Sequence, residues 1–269
     1  MEQLTTGAGV SAAGKQDIST LDGWQQAGKW FSYGGHAIFS RMAGQGEPLV
    51  LLHGFPTASW DWSRVWPMLA RHYNLLTVDM LGFGFSDKPR NYRYSIEDQA
   101  DLVQGWIEGL GLPGIHLLAH DYGSTVAQEL LARDQEGGLG FTVDSLCLLN
   151  GGIFPEVHNP LLIQRVLGSP LGGLISRGLT RSMFERKFCR LFGSRNPPGQ
   201  QEMDEFWHLL TYNNGRGILH ELIHFMEERR CHRNRWVGAL QNARQPMRLI
   251  SGTADPVSGA GMVRRYREL

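Results

Sequence analysis

One short stretch constrains the fold more than any other part of the chain. An apolar run at residues 117–119 leads through the tetrapeptide HDYG, residues 120–123, directly into the helix-like run STVAQEL. Two small residues, Ala119 and Gly123, each stand two positions from Asp121. This spacing is typical of a sharp turn from a buried strand into a helix, which displays a reactive side chain on strained backbone. The stretch therefore predicts a strand, a turn and a helix centred on Asp121.

Strand-like and helical segments alternate through the first part of the chain. A hairpin is predicted around Gly34 and Gly35, and apolar runs typical of buried strands follow at residues 48–54, 74–80, 115–120 and 143–150. Helices are predicted over 60–71, over 94–112, where Ser95 can act as the cap, and over 124–134. This alternation requires crossover connections, so it predicts an α/β fold whose mostly parallel sheet has helices on both faces.

The alternation stops after Asn150. Residues 154–236 contain helical stretches punctuated by Gly and Pro but no convincing strand, and a strand pattern returns only with MRLISG at 247–252. We therefore predict three parts: a flexible leader at 1–22, a core built from 23–153 and 237–269, and a helical cap at 154–236 that is inserted after the sixth strand.

Composition excludes several classes of protein. Lys and Arg together number 26, as do Asp and Glu, so the chain lacks the basic excess of a nucleic-acid-binding protein. The cysteines are 3 in number and scattered, which indicates free thiols in a reducing compartment. The first twenty residues have no apolar core, and no run reaches the ~20 apolar residues that a membrane span needs. We expect a cytoplasmic protein without stable membrane insertion. The amphipathic segment 161–180 is interrupted by Pro170, so we expect weak membrane affinity at most.

Three loops are predicted to meet at the carboxyl ends of the parallel strands, where open α/β sheets place their sites. HGFP, residues 53–56, follows one strand, DMLGFGFSDKP, residues 79–89, follows the next, and Asp121 follows a third. The backbone N–H groups of Phe55 and Tyr122 can point at one developing negative charge there. Asp255 follows a later strand and can orient a histidine. The residues around Asp121, taken alone, are equally consistent with a second role, in which Asp121 caps a helix that begins at Ser124.

Together these motifs resemble the α/β-hydrolase superfamily. The similarity is to its aspartate-nucleophile branch, the epoxide hydrolases and haloalkane dehalogenases, and in particular to the mesoderm-specific transcript protein group, through LLHGFPT, LGFGFSDKPR, HDYG with VAQELL, NGGIFPE and NRWVGAL. The resemblance implies an α/β-hydrolase fold and a small-molecule substrate, with no metal and no cofactor. It implies that Asp121 forms a covalent ester, that Phe55 and Tyr122 form the oxyanion hole, and that Asp255 orients a histidine that activates water.

Two departures from that branch bear on the substrate. Haloalkane dehalogenases usually carry Trp directly after the nucleophile and often Asn after His-Gly, whereas this chain has Tyr122 and Phe55. Dehalogenation of a haloacid or haloalkane is therefore the alternative to an epoxide hydrolase-like activity. Epoxide hydrolases use a pair of cap tyrosines as the acid, and the predicted cap offers only Tyr212, which is equally well interpreted as a packing residue.

Other functions compete with this interpretation. The sequence HELIH at 220–224 matches H-E-x-x-H, a zinc motif in which Glu221 would be the base, but Glu227 and Arg230 stand where the extended motif needs Gly and His. We therefore expect no zinc. A hydrolase scaffold used only for binding is a further possibility. Of the histidines near the predicted site, His120 flanks the turn and points away from it, and His53 braces the loop that follows it.

The expected catalytic histidine is missing after Asp255. In this fold a strand, the histidine loop and a closing helix follow the acid, but each of the 10 histidines precedes Asp255. The chain thus resembles a truncated member of its family, and we expect an exposed sheet edge at residues 248–251. We also expect this 269-residue chain to turn over at most once and to accumulate the ester on Asp121. The sequence leaves the oligomeric state open.

Overall fold

The structure, a computed structural model, describes residues 19–193 and 195–269. Its strands form one seven-stranded sheet with the order β1-β2-β4-β3-β5-β6-β7. The strands are β1 Lys29–Tyr33, β2 His36–Ala43, β3 Glu47–Leu52, β4 Tyr73–Val78, β5 Gly114–His120, β6 Thr142–Leu149 and β7 Met247–Ile250. β1 and β2 pair antiparallel, as do β2 and β4, and all the other pairs are parallel. The prediction of an α/β fold with a mostly parallel sheet is confirmed.

Helices follow most strands and cover the sheet. In chain order they are α1 Leu21–Gln26, α2 Trp66–Leu69, α3 Ile96–Gly109, α4 Tyr122–Gln135, α5 Leu162–Leu167, α6 Gly172–Gly178, α7 Arg181–Phe188, α8 Gln200–Thr211, α9 Leu219–Leu222, α10 Phe225–Cys231, α11 Arg233–Gln241 and α12 Ala260–Glu268. The Ser95 hydroxyl accepts from the Asp98 N–H at 3.1 Å, which confirms the predicted cap of α3. The predicted hairpin is confirmed as well, because Tyr33 pairs with His36 across the turn.

The helix predicted over 60–71 is wrong as one continuous element. The chain forms a 3-10 turn at Ser59–Trp62 and then the single α-turn of α2. Pro67 is the cause, because it lacks an N–H group and its ring is compatible only with the first turn of a helix.

A helix, α1, begins before the predicted end of the leader. Residues 1–18 of that leader lie outside the described residues, but Leu21 already starts α1, where Thr20 caps the helix. Trp24 of α1 is buried, and its ring centroid lies 4.9 Å from that of Trp66. This contact attaches α1 to the core.

Every regular element among the described residues between β6 and β7 is a helix. The segment 161–180 forms two short helices, α5 and α6, separated at Pro170 as the sequence indicated. α11 runs across the predicted boundary at 236 and 237, because Arg235 and Trp236 both bind Glu129 of α4. The end of the predicted cap is therefore tied to the core helix that follows Asp121.

β7 is the outer strand of the sheet in the described part of the chain, and Ile250 on it is 54% exposed. Within residues 19–193 and 195–269, no helix combines the length and the apolar character that crossing a bilayer requires.

Candidate active site

The carboxyl ends of four neighbouring parallel strands build the candidate site. β3, β5, β6 and β7 lie side by side in the sheet, and their chain ends lead to Phe55, Asp121, Asn150 and Asp255 respectively. Residues far apart in the sequence are therefore gathered at one edge of the sheet, where open α/β folds place their sites.

Asp121 stands on strained backbone. Its φ is 44° and its ψ is −103°, a conformation that side-chain-bearing residues rarely adopt. The side chain makes no capping hydrogen bond to α4, so the capping interpretation does not describe what the carboxylate does. Gly123 must be small, because a Cβ there would lie 2.5 Å from the carbonyl oxygen of Leu52. The predicted sharp turn from strand to helix is confirmed.

The two carboxylate oxygens of Asp121 have different surroundings. Oδ2 accepts a hydrogen bond from the backbone N–H of Phe55 at 3.1 Å. Oδ1 lies 3.8 Å from Nη2 of Arg229, beyond hydrogen-bonding distance. Tyr122 is buried and begins α4, so its N–H belongs to the free amides at the start of that helix. One oxygen therefore accepts a hydrogen bond from a predicted oxyanion donor, and the other accepts none from the described residues.

A buried histidine braces the loop that carries Phe55. The side chain of His53 is fully buried, its Nε2 accepts from the Met80 N–H at 3.1 Å, and its Nδ1 lies 2.9 Å from the carbonyl oxygen of Gly54. These contacts fit a neutral ring with the proton on Nδ1. Burial lowers the pKa of His53, which favours that neutral form. The predicted bracing role is confirmed.

Asp79 organises the glycine-rich loop after β4. Its Oδ1 accepts from the Ser59 N–H and its Oδ2 from the Phe85 N–H, each at 2.7 Å. Gly84 passes so close that a Cβ there would lie 2.1 Å from Asp79 Oδ2. This carboxylate is therefore structural, and the loop has little freedom to move.

Asp255 is held by its own loop and by Asn150. Its carboxylate accepts from Asn150 Nδ2 at 2.7 Å, from the Ser258 hydroxyl at 2.7 Å and from the Val257 N–H at 2.8 Å. Burial alone would raise the pKa of Asp255, but these hydrogen bonds outweigh it and lower the pKa. None of the three partners is a histidine.

His158, which the sequence analysis missed, lies beside this cluster. Its neighbour Asn159 donates its N–H to the carbonyl oxygen of Val257 at 3.1 Å, which places His158 next to the loop of Asp255. Burial lowers the pKa of His158 to about 4, Arg229 acts in the same direction, and the charges of Asp121 and Asp255 oppose it. His158 is therefore a neutral imidazole at neutral pH.

Arg229, on α10, is the second residue that the sequence analysis missed. Its side chain is 2% exposed, its Nη2 donates to the backbone oxygen of Asp121 at 3.0 Å, and its Nε donates to the Thr125 hydroxyl at 2.7 Å. Its guanidinium lies over the Phe225 ring at 4.5 Å. The chain separation of 108 residues between Arg229 and Asp121 explains why no local motif indicated this contact.

None of the contacts that the structure records for Tyr212 involves Asp121. The Tyr212 ring packs against Phe85 at 5.3 Å and lies 5.2 Å from Nζ of Lys88. It belongs to a separate apolar cluster around Trp60 and Leu209. The packing interpretation is therefore better supported than a substrate-binding role.

The HELIH motif is divided between two helices. α9 ends at Leu222, and His224 is the residue before α10, so the two histidines do not share one continuous helical face. His220 packs over Gly173. Among the residues that the structure describes, no group of three or more His, Cys, Asp or Glu side chains is arranged to hold a metal.

Two cavities lie next to the candidate site. One, of about 100 Å³, has mostly apolar walls that include Phe55 and the cap residues Leu167, Phe184 and Leu219. The other, of about 450 Å³, is more polar and includes His158 and Arg230. Residues between β6 and β7 thus supply most of the walls of both cavities.

Comparison with known proteins gives a consistent result. Residues 47–167 match the model of the alpha/beta hydrolase fold family. The chain is 43% identical over 250 residues to the mesoderm-specific transcript protein of Mus musculus, covering 88% of this chain and 74% of that one. It is 39% identical over 247 residues to the putative hydrolase LipZ of Mycobacterium tuberculosis, covering 91% and 85%. The crystal structure of the haloalkane dehalogenase DatA from Agrobacterium tumefaciens superimposes with a TM-score of 0.71 at 20% identity, covering 90% of this chain and 84% of that one.

Proposed function

Because the chain belongs to the α/β-hydrolase fold family, within the group of the mesoderm-specific transcript proteins, we propose that it hydrolyses a small molecule through a covalent ester on Asp121. The observation that carries this proposal is the strained turn, with φ 44°, that presents the Asp121 carboxylate 3.1 Å from the Phe55 N–H. A carboxylate nucleophile needs no general base to activate it, so Asp121 can attack although its carboxylate has no histidine among its hydrogen-bond partners in the described residues.

The first half-reaction uses the free oxygen of Asp121. Oδ1 attacks a saturated carbon, a new C–O bond forms, and the bond from that carbon to the leaving group breaks with the electron pair going to the leaving group. The Phe55 N–H stays on Oδ2, which becomes the carbonyl oxygen of the ester. The different surroundings of the two carboxylate oxygens support these separate roles for Oδ1 and Oδ2.

The second half-reaction hydrolyses the ester. Water adds to the ester carbonyl carbon, negative charge develops on Oδ2, and the N–H groups of Phe55 and Tyr122 stabilise it before the product alcohol leaves. A base must remove a proton from that water. Asp255 would orient such a histidine, but its carboxylate binds Asn150, Val257 and Ser258. His158 is near, but with a pKa of about 4 it is a weak base. We therefore propose that the 269-residue chain holds the ester and turns over at most once.

The leaving group distinguishes two candidate activities. Epoxide opening, the first candidate, needs an acid for the ring oxygen, and Tyr212 is the only tyrosine in the predicted cap. The packing of Tyr212 against Phe85 favours the second candidate, displacement of a halide, because halide leaves without a proton. We also propose a cytoplasmic location, because Cys147, Cys189 and Cys231 are unpaired. Cell fractionation tests this location.

A substrate screen tests the proposed function. Wild-type protein and the Asp121→Asn variant are incubated with epoxides, haloacids and carboxylic esters, and the substrate consumed is counted per chain. We expect wild type to consume about one equivalent of at least one class, held as the ester, and Asp121→Asn to consume none. Consumption by Asp121→Asn at the wild-type level contradicts the proposal. No consumption of any class by either protein favours a binding scaffold.

A further inference from the structure

We propose that the exposed side of α5, α6, α7 and the 3-10 turn Cys189–Leu191 docks reversibly on the surface of an anionic lipid bilayer. This side is called the leucine–arginine surface below. The inference goes beyond the proposed function, because it does not depend on the chemistry of Asp121. It starts from apolar side chains that these short helices expose to water.

Three leucines on α5 and α6 are exposed. Leu162 is 72% exposed, Leu171 is 64% exposed and Leu174 is 73% exposed, and no other large apolar side chain in the described part of the chain is as exposed as these. Leu171 and Leu174 stand three residues apart at the start of α6, so they lie on the same side of that helix. α5, which begins at Leu162, packs against α6. The three side chains therefore mark one region as a contact surface.

The same helices carry an excess of positive charge. Between residues 160 and 193 the sequence has six Lys or Arg residues and one acidic residue, Glu185. Glu185 is already bound to Arg181 at 2.6 Å. Arg165 on α5 and Arg177 on α6 each follow an exposed leucine by three residues, so each cation stands beside a leucine on its helix. Apolar and positively charged side chains thus alternate on the leucine–arginine surface.

α7 and the turn after it continue this pattern. Phe184 and Phe188 form the buried side of α7, whereas Arg186 and Arg190 are exposed. Neither of these two guanidinium groups has a hydrogen-bond or ion-pair partner among the residues that the structure describes. Both charges are therefore free to meet anionic lipid headgroups.

The apolar cavity of about 100 Å³ reaches the leucine–arginine surface. Met183 and Leu191 line this cavity and are each 37% exposed, whereas Phe184 and Leu219 line it and are buried. α5 contributes to the wall as well, through Leu167. A lipid surface over this opening would remove from water the apolar wall that is now exposed there, which favours docking.

Composition distinguishes a lipid partner from a protein partner. The residues that dominate protein interfaces are enriched in Trp and Tyr, and Leu is under-represented among them. On the leucine–arginine surface the exposed apolar residues are Leu and Met, and Phe184, Phe188 and Phe192 are not exposed. Leucines flanked by Lys and Arg are typical of helices that lie on a membrane, and the cytoplasmic leaflet has the complementary negative charge.

The docking is shallow and reversible. The sequence predicted at most weak membrane affinity for residues 161–180, because Pro170 prevents one long interfacial helix. The structure shows two short helices there that expose leucines, and α7, outside that segment, adds unpaired cations. Surface contact of this kind requires no helix to cross the bilayer.

Vesicle sedimentation tests the inference. Wild-type protein is mixed with vesicles of phosphatidylcholine alone, or of phosphatidylcholine and phosphatidylserine in equal amounts. We expect the affinity for the mixed vesicles to be higher by about tenfold or more, and to be lost at about 1 M salt, where the Debye length is about 3 Å. Equal binding to both kinds of vesicle, or no binding to the mixed vesicles, overturns the proposal.

A pair of leucine substitutions locates the apolar contact. Leu171→Gln with Leu174→Gln should weaken binding to the mixed vesicles by about tenfold. Met68→Gln with Leu110→Gln is the matched control, because both residues are exposed and precede β4 and β5, at the opposite end of the sheet from the candidate site. The control should bind as wild type does. An equal loss in the two double variants overturns the proposed surface.

A pair of arginine substitutions locates the charge. Arg186→Gln with Arg190→Gln should also weaken binding by about tenfold, whereas Arg71→Gln with Arg244→Gln should not, since these exposed residues precede β4 and β7. Urea midpoints close to that of wild type check that each variant is folded, as expected for exposed positions. An unchanged affinity in folded Arg186→Gln with Arg190→Gln overturns the proposal.

Light scattering without lipid tests the competing occupant, a second copy of the chain. We expect the same molar mass for wild type and for Leu171→Gln with Leu174→Gln. A wild-type dimer that this double variant dissociates would assign the leucine–arginine surface to self-association and overturn lipid docking.

Discussion

The backbone N–H of Phe55 lies 3.1 Å from Oδ2 of Asp121, so the loop after β3 and the turn after β5 meet at the carboxylate itself. The two residues are 66 positions apart in the chain, and the pairing of β3 with β5 brings them together. This contact orients the carboxylate before any substrate arrives, because it assigns one oxygen to the predicted oxyanion donors and leaves the other free.

The turn at Asp121 depends on a close approach of two backbones. We expect Gly123→Ala to lower the free energy of unfolding by about 1–3 kcal/mol, because the new Cβ would lie 2.5 Å from the Leu52 carbonyl oxygen. Gly105→Ala in α3 is the control, since nothing lies within 4 Å of its Cβ position, and it should stabilise by about 1 kcal/mol. Urea unfolding measures both. Equal effects in the two variants would contradict the close approach.

The strand–turn–helix around Asp121 could be predicted because its signals are local. The small residues at 119 and 123 and the apolar run before them are contiguous, and the structure puts the turn where they indicate. The cap of α3 by Ser95 was predictable for the same reason. The helix over 60–71 failed because its apolar spacing is helical but Pro67 has no N–H to continue a helix from the residues before it.

Arg229 and His158 could not be found from the sequence, because their positions follow from packing across the molecule. Arg229 reaches Asp121 from α10, and His158 reaches the site through the contact of Asn159 with Val257. Neither residue stands in a motif with fixed spacing to Asp121. The continuity of α11 across residues 236 and 237 could not be seen from the sequence either, because Glu129 of α4 binds Arg235 and Trp236 through packing across the molecule.

Glu129 is expected to be the strongest link between α4 and α11. Its side chain is 3% exposed and accepts from Arg133, Arg235 and Trp236. We expect Glu129→Gln to lower the free energy of unfolding by about 1–3 kcal/mol, because hydrogen bonds to a buried charged carboxylate are lost, while Arg133 keeps Asp101 and Arg235 keeps Glu136.

The control for Glu129→Gln is Glu202→Gln. Its partner Arg64 has a side chain that is 75% exposed, so the loss should stay below about 1 kcal/mol. Urea unfolding of the two variants under the same conditions compares the stability that each one loses. A loss for Glu129→Gln no larger than that for Glu202→Gln would show that the buried network contributes little.

His158 should make the protein sensitive to acid. Its pKa is lowered in the folded protein from 6.5 to about 4, chiefly by burial, so the unfolded chain binds more protons between these values. Stability from the neutral ring is present above pH 6.5 and is lost as the pH falls towards 4. At pH 5 the loss attributable to this residue is up to about 2 kcal/mol.

His158→Gln isolates this contribution. The variant should lose less unfolding free energy than wild type between pH 7 and pH 5, measured by urea unfolding at both values. Arg229, Arg230, Asp121 and Asp255 remain in both proteins, so the difference reports on residue 158. Parallel losses in the two proteins would mean that folding does not lower the pKa of His158.

Intact-mass spectrometry of the 269-residue chain after incubation with a reactive haloacid or epoxide tests most directly whether Asp121 is the nucleophile. Unlike a thioether on Cys189 or Cys231, an ester on Asp121 is released by hydroxylamine, and peptide mapping locates it. We predict one hydroxylamine-labile adduct per chain on Asp121, its absence in Asp121→Asn, and its retention in the control Asp144→Asn. A labile adduct that persists in Asp121→Asn, or sustained multiple turnover without any adduct, would contradict the account.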